Sequence, residues 1–73
     1  MLQRQVAWRL GTLGDERGVP ALAQLLEARD PTVRAYAYDA LARLLQRGVE
    51  AAGPVLSSYA GQKPLGPLAP PEF

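Results

Sequence analysis

The chain has 73 residues with a net charge of +1, about half an ordinary domain, so it holds one compact unit or a piece of a repeat array. Its 48% apolar and 21% charged residues exclude wholesale disorder, and the small charge does not by itself imply nucleic acid or anionic lipid. It has no Cys and no His, which excludes disulfides, thiolate chemistry, imidazole zinc ligands and the commonest general base.

The apolar pattern through residue 60 has helical spacing. Leu2, Val6, Leu10 and Leu13 predict a first helix over 2–13, stopped by Gly14 in the left-handed conformation, and Asp15, Glu16, Arg17 and Gly18 read as a tight turn. Val19, Leu22, Ala23 and Leu26 predict a second helix over 19–28, with Pro20 accommodated in its first turn, where no N–H is needed. Asp30 followed by Pro31 is the clearest start signal, a cap and then a favoured first helical residue. Val33, Ala37, Ala40, Leu41 and Leu44 then line one face of a third helix over 31–47, closed by Gly48. Residues 49–60 carry Gly53 and Pro54 mid-segment, which predicts a kink, or a short turn and a fresh helix near Pro54. From 61 onward the composition changes. Pro64, Pro67, Pro70 and Pro71, with Gly61 and Gly66, point to polyproline II. Its three-residue turn aligns Pro64, Pro67 and Pro70 on one stripe and Leu65, Leu68 and Pro71 on another.

The helical segments repeat. Leu10 and Leu13 match Leu41 and Leu44 at an offset of 31, and Arg17, Gly18 and Val19 match Arg47, Gly48 and Val49 at an offset of 30. Two helices per period of this length is the signature of an α-solenoid. The stretch from Val6 to Asp15, the run Gly18, Val19, Pro20, Ala21, Leu22 and the run Asp30, Pro31, Thr32, Val33, Arg34 together resemble HEAT-like repeats of the phycobilisome-lyase type. The resemblance covers about residues 2 to 59. It implies an all-α fold, an α-solenoid fragment of two HEAT-like helical hairpins (repeat one 2–28, repeat two 31–59) in a 1–60 domain, to which the change in composition adds an extended Pro-rich C-terminal tail over 61–73. It implies almost nothing about activity, and lyase chemistry is not carried over. Two positions depart from the pattern. Arg9 stands where the second repeat has Ala40 and where a small residue lets helices approach. Glu50 replaces the helix-opening proline, which moves to Pro54.

Chemistry-bearing constellations are absent from the pattern. Asp15 and Glu16 fall in a turn, Asp30 is a cap, and Asp39 is spaced to pair with Arg43 one turn on. Ser57 and Ser58 have no His partner. The chain is therefore expected to be no enzyme, with no catalytic residue, no cofactor and no metal site. Arg9 interrupts the apolar residues between Val6 and Leu13. No apolar run approaches the roughly 20 residues a spanning helix needs, and no leader pattern is present, so a cytoplasmic, membrane-free location is expected. Trp8 lies off the first helix's apolar face, and Tyr38 and Leu45 lie beyond the main stripe of the third. They read either as partial core packing or as anchors of an association surface. Two repeats are fewer than the three usually needed to bury a continuous core. The expected function is accordingly protein–protein interaction, as a small scaffold or adaptor that self-associates. Candidate interface residues are Trp8, Tyr38, Leu45, Leu65, Leu68 and Phe73, with the tail exchanged onto a second copy. An alternative is a small nucleic-acid-binding regulator using Arg34, Arg43 and Arg47. Asp39 and Glu50 nearby make nucleic acid the less favoured partner, because phosphate binding needs a concentrated basic patch.

Overall fold

A computed structural model describes residues 2–14, 16–59 and 61. The polyproline stripes expected beyond them lie outside the described residues. In chain order the elements are α1 (Leu2–Leu13), a 3₁₀ turn (Glu16–Gly18), α2 (Val19–Leu25), α3 (Pro31–Gln46) and α4 (Ala52–Ser58). Among the described residues there is no strand.

Local chemistry accounts for each boundary. Gly14 sits at φ +69° and Gly48 at φ +94°, the left-handed conformation in which glycine is favoured after a helix. At the end of α3 the Gly48 N–H donates to the Leu45 carbonyl at 3.0 Å and the Val49 N–H donates to the Leu44 carbonyl at 2.9 Å. This paired set is the Schellman arrangement that satisfies the last orphan carbonyls. At the start of α3, Asp30 is extended and its Oδ1 accepts the Thr32 N–H at 2.8 Å, with Pro31 in the first helical position. Asp30→Ala should therefore lower stability by about 1 kcal/mol; an unchanged urea midpoint would show that the cap contributes nothing.

One boundary differs in detail from the sequence expectation. α2 ends at Leu25 instead of 28, because its last turn tightens: Glu27 N–H donates to Gln24 O at 3.0 Å and Ala28 N–H to Leu25 O at 3.1 Å. Of the two forms expected around Pro54, a kink or a short turn with a fresh helix, the second is found. Pro54 is the third residue of the fresh helix after a turn at 49–51, within the first four residues, whose N–H groups lack intrahelical acceptors.

α3 is the central helix and packs against α1, α2 and α4. Its buried residues are Val33, Ala37, Ala40, Leu41 and Leu44, the face expected from the sequence, and the last four form one cluster with Val19, Leu22 and Leu26 from the α2 region and Ala52 from α4. α1 is the exception. Its buried line runs through Ala7 and Gly11, Leu10 is half-buried, and Val6 is 40% exposed. The reason is how closely α1 approaches α3. A Cβ built on Gly11 would lie 2.7 Å from the Ala40 Cβ and 2.8 Å from its Cα, so small residues mark the contact and the bulkier Val6 is turned aside.

Candidate functional site

The three arginines of the nucleic-acid alternative all hold parts of the fold together. Arg34 donates through Nη1 to the carbonyls of Ala28 at 2.6 Å and Arg29 at 2.9 Å, satisfying backbone that has just left α2. Arg47, at the end of α3, donates from Nη1 to the Thr12 carbonyl at 2.6 Å, one of the last four of α1, where a cation also complements the helix dipole. Arg43 pairs with Asp39, Nη2 to Oδ2 at 2.7 Å, and lies with Cζ 3.9 Å from the centre of the Trp8 ring.

Trp8 is half-buried, with Tyr36 set edge-on to it at 6.4 Å between ring centres and 78° between planes. Arg43 and Tyr36 come from α3 and Trp8 from α1, so this cluster joins the two helices. Guanidinium over indole and edge-to-face rings are both favourable arrangements. Arg43→Gln should cost about 1 kcal/mol through loss of the stacked cation. It should also shift the emission of Trp8, the chain's single tryptophan; unchanged emission would mean that the guanidinium does not rest on the indole.

Tyr38 and Leu45 occupy the opposite flank of α3, roughly half a helical turn from Tyr36 at 100° per residue. Tyr38 packs on Tyr59 with ring centres 5.4 Å apart. Leu45 is 42% exposed, and Val6 on α1 is the other large exposed hydrophobic residue among those described. The structure thus brings Tyr38 and Leu45 to one flank and separates them from Trp8, whereas Leu65, Leu68 and Phe73 lie outside the described residues. Sequence reasoning did not reach Tyr36 or Tyr59 as ring partners, nor Gly11 as the close-contact residue. Ala7 and Gly11, two small residues four apart, were the signal available for that contact. A groove of about 700 Å³ opens between the end of α2 and α4, with Leu26, Val55 and Tyr59 in its lining. Among the described residues no group of three or more His, Cys, Asp or Glu could hold a metal ion, and no helix is long and apolar enough to cross a membrane.

The sequence profile for HEAT repeats matches residues 1–67. The chain belongs to the HEAT repeat family. The match is at the level of the repeat and does not extend to the phycobilisome-lyase subtype. No curated protein and no solved structure matches the chain. HEAT repeats generally mediate protein–protein contact, and the fold is typically non-catalytic. Within the HEAT arrangement each hairpin packs on its neighbours, and the offset of 31 shows which faces correspond. Ala7 and Gly11, which α1 buries against α3, correspond to Tyr38 and Ala42. Ala40, which meets Gly11 of α1, and Ala37, buried one turn before it, correspond to Arg9 and Val6. Both corresponding faces are at least partly open: Tyr38 and Ala42 are half-buried, Val6 and Arg9 exposed.

Proposed function

We propose that this HEAT repeat protein is a non-catalytic scaffold or adaptor that self-associates, two copies meeting through the α3 flank that carries Tyr38, Ala42 and Leu45. The observation carrying this reading is Leu45, 42% exposed beside the Tyr38–Tyr59 pair, on the side of α3 that corresponds to the neighbour-facing side of α1. Aromatic and large aliphatic side chains are the usual anchors of interface cores. A protein partner is favoured over nucleic acid because Arg34, Arg43 and Arg47 already hold carbonyls, a carboxylate and an indole within the fold.

Arg9 decides between two ways for copies to meet. Head-to-tail stacking in the native repeat geometry would set Arg9 of one copy where Ala40 sits, and Ala42 of the other where Gly11 sits. The Gly11–Ala40 contact has no room for a β-carbon, far less for an arginine. The reading is therefore an isologous pair, flank to flank, which closes instead of propagating into a filament. Light scattering over a concentration series is expected to give a dimer mass for the full chain. Leu45→Asp should bring it to the monomer mass with helical circular dichroism unchanged. A wild-type chain that stays monomeric at the highest soluble concentration would overturn self-association.

A further inference from the structure

We propose that the groove between the end of α2 and α4 is the docking site of the chain's own 62–73 segment, held as an intramolecular proline-rich ligand. This is independent of the self-association reading, which concerns the Leu45 flank. The groove is walled by Ala23 and Leu26 on one side and Val55 and Tyr59 on the other, with Glu27 and Arg34 adding opposite charges to its lining.

Where the chain leaves the fold selects the occupant. Gly61 itself lines the groove. A Cβ on Gly61 would fall 2.5 Å from Tyr59 Cζ and collide with the hydroxyl as well, so the tyrosine ring lies directly over the Gly61 backbone. That ring is in turn packed on Tyr38, which ties the exit point to α3. Twelve residues follow Gly61 in the sequence.

The segment's chemistry matches what it meets. In polyproline II, at about 3.1 Å per residue, twelve residues reach about 37 Å, beyond the longest dimension of the fold, 27 Å. The Leu65, Leu68 and Pro71 edge is apolar, and extended proline-rich segments dock on apolar grooves with aromatic walls. Such a segment is already extended, so it loses little backbone entropy on docking. A tether this short gives the segment an effective concentration on the order of millimolar at its own groove. An identical segment on a second copy must compete at its free concentration, so the chain's own segment takes the site.

The absence of cysteine makes a decisive test simple. Ala69→Cys in the full chain accepts one nitroxide label, and amide relaxation reports its neighbours. Selective loss of the Ala23, Leu26 and Val55 amide signals is expected. The loss should persist on dilution and be abolished by Leu65→Ser with Leu68→Ser in the labelled chain. Uniform or absent broadening would overturn the docking, and broadening that survives the two serines would overturn the role of the apolar edge. Mixing labelled, isotopically silent chains with unlabelled, isotopically visible ones separates the sources. Groove broadening in that mixture would mean an arm exchanged between copies and would overturn the intramolecular assignment.

Discussion

Leu41→Ala is expected to destabilise the protein by about 2–5 kcal/mol, the cost of leaving a cavity where a leucine was fully buried. Leu41 has 0% exposure and sits on α3, the helix against which the other three pack. A chain this short has a stability on the order of 4–11 kcal/mol at the usual per-residue value, so the change removes a large share of the total. The measurement is the urea midpoint at unchanged denaturant slope, since a changed slope would mean that the denatured ensemble had moved as well. Leu45→Ala is the internal control, because it makes the same chemical deletion one turn further along α3 at a side chain 42% exposed. It should cost under about 1 kcal/mol at concentrations where the chain is monomeric. A Leu41→Ala cost as small as its control would remove Leu41 from the core and break the assignment of the buried face of α3.

That face was fully legible because its signals are local. Asp30 and Pro31 fix where α3 begins, Gly48 fixes where it ends, and between them five apolar residues repeat at helical spacing. With start, stop and period agreeing, the buried stripe follows. α1 offers no comparable agreement. Its hydrophobic period favours Val6, but the contact with α3 selects Ala7 and Gly11, since the distance between two helices is set by the smallest residues on their common line. Periodicity ranks side chains by polarity and is silent about how closely two axes approach. The candidate site was legible to the same extent. Tyr38 and Leu45 were identified from their place beyond the apolar stripe, but their separation from Trp8 depends on which flank of α3 faces α1. Arginine partners were the least legible. Arg47 reaches a carbonyl 35 residues earlier in the chain, and no spacing rule connects those two positions.

The arginine contacts also explain how so small a core holds two hairpins. Among the described residues, four of the ten in the buried core are alanines, so the apolar surface they remove from water is modest. Arg34 binds the backbone just beyond α2, while Arg47 and the Trp8–Arg43 stack each join α1 to α3. Hydrogen bonds from charged donors to carbonyls contribute more than neutral ones. In a longer HEAT array further hairpins would supply this cohesion. Here part of it comes from side chains that span the two repeats, which is why the same arginines are poorly placed to serve a phosphate backbone.

Gly11→Ala is expected to destabilise the protein, although helix propensity alone predicts the opposite. Alanine is better than glycine in a helix interior by about 1 kcal/mol. The new methyl, however, would stand 2.7 Å from the Ala40 Cβ and 2.8 Å from its Cα, and a backbone atom in the contact cannot rotate away as a side chain can. α1 must lift from α3, and overpacking of this kind costs about 1–3 kcal/mol, enough to outweigh the propensity gain. Gly53→Ala separates the two effects. Its β-carbon would meet only Leu45 Cδ1, at 3.6 Å, an ordinary contact, so there the propensity term acts alone and the change should be neutral to mildly stabilising. Ala40→Gly combined with Gly11→Ala removes one of the two clashing carbons and leaves the other. The pair should therefore be less destabilising than the sum of the single changes, with a coupling of about 0.5 kcal/mol or more. Thermal and urea unfolding of the four variants decide the matter. If Gly11→Ala stabilises as Gly53→Ala does, α1 and α3 are not in contact at Gly11, and Arg9 would no longer stand in the way of head-to-tail stacking.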